Sequence, residues 1–342
     1  MKRERKRKVT IRDVADAVGV HHSTVSRALS PNKRDKISPA VVKKVEKAAK
    51  KLGYYRNIVA SSLKQNRSFA VGVLIPDLMN PVFPPIIRGI QDTAEAVGYT
   101  VITANTDDEP EKERDALRMM QGRSIEGVIM ATARREDPIV EECIEHDIPL
   151  VLVNRTVDRE GVNAVILDEN YGIRSVIDHL MSLKHTRIAH IAGPQHTSTG
   201  FQRAKAFSDY LSIHNMPTDL IEAANKFTIE EGRRAFRRLL ARDNSFSAIV
   251  AGNDLLALGC MDAMRDVGLL VPENIAITGY DDILFLERMS PALTTVLVPK
   301  YEMGCQATKT LLGIIDGENK APVVLRMQPR LIIRNSTAVA SR

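Results

Sequence analysis

Residues 9–30, VTIRDVADAVGVHHSTVSRALS, decide the fold of the N-terminal part of the chain. Thr10 has the residue type of a helix N-cap, and apolar residues follow it at helical spacing as far as Gly19, a typical C′ residue. A second helix is predicted over residues 22–29, with these apolar residues on one face: Val25, Ala28 and Leu29. Two short helices joined by a glycine turn predict a helix-turn-helix, in which the second helix enters the DNA major groove.

A third helix follows at Ser38-Pro39, which has the pattern of an N-cap with proline at the first helical position. The stretch AVVKKVEKAAKKLG then keeps a period of 3.6 residues as far as Gly53, with a basic outer face. Three helices of this kind predict a small all-α headpiece over residues 8–56.

The adjacent histidines His21 and His22 could be metal ligands, catalytic groups or DNA contacts. A zinc site needs three or four ligands, and no other ligand type is spaced near them. A general base would need a nucleophile, an orienting carboxylate and a dry cleft, which this small basic segment lacks. Groove contact remains, against the alternative of a solvated helix face. The DNA-binding candidates in the headpiece are Thr10, His21, His22, Ser23, Thr24, Ser26 and Arg27.

The charge distribution supports a separate nucleic-acid module. Residues 1–67 hold 19 Lys and Arg against 5 Asp and Glu, a net of +14, while the remainder holds 29 against 37, a net of −8. Affinity for a polyanion grows with the number of phosphates neutralised, so only the basic head fits a duplex. The first eight residues, MKRERKRK, fit a disordered basic tail equally well.

Other features of composition exclude several classes of protein. The 342 residues are 44% hydrophobic, which predicts more than one buried core. The apolar runs are far shorter than the ~20 residues that cross a bilayer, and the charged N-terminus leads into no apolar segment, so we expect a cytoplasmic protein without membrane contact. The three cysteines fit reduced, buried thiols.

From Phe69 onward, short β-rich runs alternate with helical segments in two series. The first contains FAVGVLIPD, TVITANT, EGVIMAT, LVLVN and AVILD, and the second contains RIAHIAGP, FSAIVAGND and IAITGYDD. This pattern predicts two α/β lobes with parallel sheets and a ligand cleft at the carboxyl ends of their strands. No nucleotide-binding glycine motif follows any strand, so no cofactor is expected.

These motifs together resemble the LacI/GalR family of bacterial transcription regulators. The resemblance covers about residues 9–336, through the headpiece and through GVLIPDLMNPVF, HIAGP, GNDLLALG, VPENIAITGYDD and SPALTTV. It implies a body similar to periplasmic binding proteins. One departure is His21, which stands where the family usually has a capping serine, so the start of the recognition helix is expected to be looser or differently placed.

The resemblance also implies a hinge over residues 57–67, which lies within the stretch RNIVASSLKQNRS (residues 56–68). A helix this short is marginal alone in water, so we expect it to fold when bound to DNA. In the family a leucine from this helix enters the minor groove, and Leu63 matches it, with Asn57 as a further DNA contact. The alternative is that Leu63 packs on the body.

The remaining domain, residues 68–336, is expected to bind an effector and to dimerise. Its first lobe is predicted at about 69–169 and 299–327, and its second at about 170–297 and 328–340. The resemblance places these effector-binding residues just past strand ends: Phe83, Asn154, Thr197, Thr199, Arg203, Phe227, Asn253 and Asp281. Asn80 and Arg155 lie beside them in the sequence. Arg203 with Asp281 is the favoured pair, because a guanidinium and a carboxylate suit vicinal hydroxyls; the alternative is a structural ion pair.

The favoured effector is a sugar or sugar acid, because Thr197 stands where a purine-responsive member has arginine. The chain shows no C-terminal heptad pattern, so a homodimer reading a pseudo-palindromic operator in double-stranded DNA is expected. Two other functions are compatible with parts of the sequence. An architectural DNA-binding protein without an effector is the first alternative. A hydrolase using His196 and Ser198 is the second, but such polar clusters more often bind hydroxyls, so no enzyme and no metal site are expected.

Overall fold

The structure is a computed structural model that describes residues 9–29, 34, 36–54, 67–318 and 321–338. The chain divides into two compact units, Met1–Phe69 and Ala70–Arg342. Each unit has its own hydrophobic core. None of the helices in the described ranges has the length and apolar content needed to cross a bilayer.

The described part of the first unit contains three α-helices: α1 (Ile11–Val18), α2 (His22–Ala28) and α3 (Pro39–Leu52). A capping box begins α1, since the backbone N–H of Thr10 donates to Asp13 at 2.7 Å and the Asp13 N–H donates to the Thr10 hydroxyl at 3.4 Å. Gly19 ends the helix in the left-handed region, with φ of 72°. The sequence predictions for α1 and its caps are therefore confirmed.

A small apolar core joins the three helices, and the fully buried members include Val14, Val25, Ala28 and Val45. Val25 and Ala28 lie on the face that the sequence predicted, and Leu29 packs against it while partly exposed. Ser38 occupies the N-cap position of α3 but makes no side-chain capping bond, so this end depends on the proline at the first position.

In the second unit, one lobe is built on a six-stranded parallel sheet with the order β11-β5-β4-β3-β1-β2. Its strands are β1 (Ala70–Ile75), β2 (Thr100–Asn105), β3 (Gly127–Met130), β4 (Leu150–Val153), β5 (Ala164–Leu167) and β11 (Val324–Met327). Its helices are α4 (Phe83–Ala96), α5 (Pro110–Gln121), α6 (Pro138–Glu145) and α11 (Lys300–Ile315). Strands β1, β3, β4 and β5 are almost entirely buried, as parallel strands covered on both faces should be.

The other lobe has a four-stranded parallel sheet with the order β7-β6-β8-β9. Its strands are β6 (Ile188–Ala192), β7 (Ile221–Ala223), β8 (Ala248–Ala251) and β9 (Ala276–Thr278). Its helices are α7 (Glu169–Ser182), α8 (Ser198–Ile213), α9 (Ile229–Arg242) and α10 (Asp254–Asp266), with a 3-10 turn at Leu286–Arg288. The predicted architecture of a helical headpiece and an α/β body with two parallel sheets is confirmed.

The chain passes between the two lobes more than once. After β9, strand β10 (Thr295–Leu297) leads into α11 of the first lobe, and β11 is followed by β12 (Arg330–Ile332), which pairs antiparallel with β10. Beyond β12, the Ser336 hydroxyl donates to the Ile277 carbonyl at 2.6 Å. These crossings place the carboxyl ends of both sets of strands around one cleft.

Candidate functional site

The outer face of α2 carries the side chains that the sequence predicted for DNA contact. His21, His22, Ser26 and Arg27 are exposed, and Ser23 and Thr24 are half-buried. Because the apolar residues of the same helix are buried against α1 and α3, this polar face is held in a fixed orientation. The described part of the headpiece therefore presents this polar face of α2 to solvent.

The structure corrects the expectation for His21. The helix begins where the sequence predicts, and His21 is its N-cap, with extended backbone at φ of −65° and ψ of 144°. Its Nδ1 accepts the Ser23 N–H at 3.4 Å and lies 2.8 Å from the Ser23 hydroxyl. The imidazole thus replaces the serine hydroxyl as the acceptor for the first turn.

The other DNA-binding candidates do not lie on α2. Thr10 is exposed, but its side chain is engaged in the capping box of α1. The hinge candidates Asn57 and Leu63 lie outside the described residues.

Two adjacent cavities open between the lobes of the second unit, at the carboxyl ends of the strands. Counting the space that is open to solvent, the deep cavity has a volume of about 300 Å³ and the outer one about 740 Å³. The deep cavity is lined by Asn80, Val82, Phe83, Asn154, Arg155, Thr199, Arg203, Phe227, Asn253 and Asp281. The outer cavity shares four of these residues: Asn80, Phe83, Arg155 and Phe227.

Seven of the eight predicted effector residues thus line the deep cavity, and Thr197 does not. Thr197 is the N-cap of α8, where its hydroxyl accepts the Gly200 N–H at 3.2 Å and donates to the Pro194 carbonyl at 2.8 Å. Its hydroxyl is therefore engaged in forming the loop that positions Thr199.

Arg203 lies at the centre of a buried network and is only 2% exposed. Its Nε and Nη2 donate to the two carboxylate oxygens of Glu169 at 2.8 and 3.0 Å, and its Nη1 donates to the Gly252 carbonyl at 2.7 Å. The guanidinium also stacks on the Tyr280 ring at 3.7 Å. Glu169, the first residue of α7, was not predicted as a site residue.

Asp281 faces Arg203 without a direct hydrogen bond, since Asp281 Oδ1 lies 3.8 Å from Arg203 Nη1. Burial raises the pKa of Asp281 to about 6, against the lowering effect of the charges on Arg203 and Lys300. The Lys300 ammonium donates to the backbone carbonyl of Asp281. Arg203 and Asp281 therefore lie close to each other, as predicted. One hydroxyl between them could accept a hydrogen bond from Nη1 and donate one to Oδ1.

On the side of the first lobe, Arg155 lines both the deep cavity and the outer one. Its Nη1 donates to Asp108 Oδ1 at 2.9 Å and to the Thr132 carbonyl at 3.4 Å. Burial tends to raise the pKa of Asp108, but the interactions with His196 and Arg155 lower it well below its usual range. Its position between the cavities allows Arg155 to contact a ligand in either.

Two aromatic rings complete the cavity. Phe83, the first residue of α4, is 2% exposed, and Phe227 follows β7 in the crossover to α9. A Cβ at Gly193 would overlap the Phe227 ring, so glycine at that position leaves room for the ring. Apolar ring faces of this kind suit the C–H faces of a sugar.

His196 and Ser198, the residues of the alternative hydrolase function, make polar contacts with other residues and not with each other. The Ser198 hydroxyl accepts the Thr156 N–H at 2.9 Å, and His196 Nε2 lies 3.7 Å from Asp108 Oδ2. Both contacts link the two lobes. Over the described ranges, no group of three or more His, Cys, Asp or Glu side chains is arranged to hold a metal ion.

Comparisons with known proteins identify the family of the chain. Residues 10–57 match the family model for bacterial regulatory proteins of the lacI family, and residues 177–337 match a periplasmic binding protein-like domain. The ribose operon repressor of Bacillus subtilis is 34% identical over 96% of this chain and 98% of its own length. The chain belongs to the lacI family of bacterial regulatory proteins.

Solved structures of lacI-family regulators are similar over nearly the whole chain. A lac repressor dimer bound to operator and the anti-inducer ONPF gives a TM-score of 0.85 at 26% identity, covering 97% of this chain and 100% of the other. A complex of the transcriptional regulator CelR with cellobiose gives a TM-score of 0.74 at 30% identity, covering 96% and 100%. The predicted family and fold are confirmed.

Proposed function

We propose that this lacI-family regulator is a transcription repressor that binds double-stranded operator DNA as a homodimer. A small molecule, a sugar or a sugar acid, binds in the deep cavity and changes the affinity for the operator. The observation that carries this proposal is the convergence of seven predicted effector residues on one cavity between the lobes, in a chain that also has a helix-turn-helix. Two binding sites in one chain are what effector control requires.

The chemistry of the deep cavity supports a polyhydroxylated ligand. Asparagine amides and a threonine hydroxyl can both donate and accept hydrogen bonds, and Arg203 and Asp281 offer a donor and an acceptor that one hydroxyl can bridge. One similar regulator, CelR, is seen in complex with cellobiose, and another relative is named as the repressor of a ribose operon.

The headpiece supports recognition of a pseudo-palindrome. The lac repressor dimer is seen bound to its operator, and a dimer with two-fold symmetry places two recognition helices on matching half-sites. We propose contacts from the exposed face of α2, with Asn57 and Leu63 of the hinge reaching the operator centre. The proposed limits are 8–56 for the headpiece, 57–67 for the hinge and 68–336 for the body.

A regulator of this kind acts where the chromosome is, so we place it in the cytoplasm. The polar groups of the cleft have a binding role in this proposal and no catalytic one.

The test begins with a duplex selected by the full-length protein from a random library. Its dissociation constant is then measured by fluorescence anisotropy with and without a panel of pentoses, hexoses and sugar acids. Arg27→Ala should weaken binding of the selected duplex by about 1–3 kcal/mol if Arg27 contacts a base. A change in affinity with one sugar supports the proposal. Binding with a steep salt dependence, little sequence preference and no response to any sugar would instead indicate the architectural protein.

A further inference from the structure

Each charged side chain that lines the deep cavity has a group of opposite charge nearby in the protein. The Arg203 guanidinium is neutralised by the two oxygens of Glu169, and both side chains are buried, at 2% and 4% exposed. Arg155 has Asp108 at 2.9 Å. The carboxylate of Asp281 has Arg203 at 3.8 Å and the ammonium of Lys300 on its own backbone carbonyl.

Asp254 is a further acidic group near Asp281, and it is fully buried. Burial and the nearby Asp281 raise the pKa of Asp254 well above its usual range, which favours the neutral acid. The Thr295 hydroxyl and the Ile283 N–H donate to its oxygens at 2.6 and 2.9 Å, so it holds the loop beyond β9. Both cations that line the deep cavity, Arg155 and Arg203, therefore already have a carboxylate partner in the protein.

We infer that this cavity selects an uncharged sugar over the corresponding sugar acid, and that Glu169 is the positioning residue that sets this selectivity. The inference rests on the proposed function and narrows the class of its effector. Glu169 acts through Arg203, because its carboxylate accepts hydrogen bonds from Nε and Nη2. The remaining nitrogen, Nη1, donates to the Gly252 carbonyl and lies 3.8 Å from Asp281 Oδ1.

The physical reason is the cost of adding a second negative charge. A ligand carboxylate in the deep cavity would compete with Glu169 for Arg203, and Asp281 on the cavity wall would repel it. A buried charge without a counter-charge is unfavourable, whereas a hydroxyl needs only a donor and an acceptor. Both are present in the 3.8 Å gap between Arg203 and Asp281.

The experiment measures selectivity in the full-length protein. Dissociation constants are determined by calorimetry for neutral pentoses and hexoses and for the aldonate and uronate of each. The wild-type protein should bind the best neutral sugar at least about tenfold more tightly than its acids. Glu169→Gln keeps the shape of the side chain but removes the charge. The ratio of the dissociation constants of the acid and the neutral sugar should therefore change by about tenfold in favour of the acid. Glu169→Asp keeps the charge and should retain the wild-type preference.

A matched control is Glu141→Gln, because Glu141 forms an ion pair with Arg159 on the surface of the first lobe and both side chains are nearly half exposed. This variant should leave the ratio unchanged. A general loss of stability would weaken both classes of ligand, whereas the inference predicts opposite changes in the two. Tighter binding of an acid by the wild-type protein, or an unchanged ratio in Glu169→Gln, would overturn the inference. Binding of neither class would overturn the proposed function itself.

Discussion

Replacing Arg203 by methionine should destabilise the second unit severely, because it removes one partner of a buried ion pair. The substitution deletes the three hydrogen bonds to Glu169 and Gly252 and leaves the Glu169 carboxylate only 4% exposed without its counter-charge. Methionine keeps the length of the side chain and part of the contact with Tyr280. The electrostatic loss is therefore the main effect.

Breaking a buried pair in this way costs about 3–5 kcal/mol, while replacing both partners by apolar residues is often nearly neutral. Arg203→Met alone should accordingly lower the free energy of unfolding by about 3–5 kcal/mol. The double variant Arg203→Met with Glu169→Leu should recover most of that loss, since no unpaired carboxylate remains at the start of α7.

The assay is urea unfolding of the full-length protein, followed by circular dichroism for the wild type, both single variants and the double variant. A double-mutant cycle then gives the coupling energy of the two side chains. If Arg203→Met cost less than about 1 kcal/mol, or if the double variant were as unstable as the single one, the pair would not contribute in the way described.

Three further predictions concern other parts of the molecule. His21→Val removes the ring nitrogen that caps the recognition helix, so it should cost about 1 kcal/mol of headpiece stability, measured by hydrogen exchange, whereas His21→Ser should be near neutral. Gly89→Ala places a methyl group against the Tyr301 carbonyl where α4 packs on α11, so it should lower the melting temperature, while Gly122→Ala, with neighbours at 3.5 Å, should not. Because burial raises the pKa of Asp281 to about 6, its carboxylate is ionised above that pH and protonated below it. Sugar affinity should therefore be full above about pH 6 and weaken as the pH falls through it, and Asp281→Asn should remove this dependence.

The sequence predicted the elements that have strong local signals. The caps at Thr10 and Gly19 and the buried face of α2 follow from rules that act within one or two turns. Eight of the body strands were predicted because each is a short apolar run that ends in Gly, Pro, Asn or Asp. The remaining four strands, β7, β10, β11 and β12, were missed; each has only three or four residues, too few to show a clear period.

Local patterns could not predict which charges meet inside the protein. Arg203 and Glu169 are separated by 34 positions and come from two different helices, so no spacing rule connects them. Thr197 was predicted at the ligand because it follows a strand, but a threonine before a helix can equally be its cap, and here it is. His21 was expected to cap poorly, and only the structure shows its ring accepting the Ser23 N–H.

The central claim is that a ligand in the cleft and DNA at the headpiece affect each other's binding. The most direct measurement is a complete thermodynamic cycle: the operator dissociation constant with and without saturating sugar, and the sugar dissociation constant with and without operator. Linkage requires the two ratios to be equal, and we predict a common factor of about 5–150. A sugar that binds the deep cavity with the same affinity in the presence and absence of operator would contradict the account.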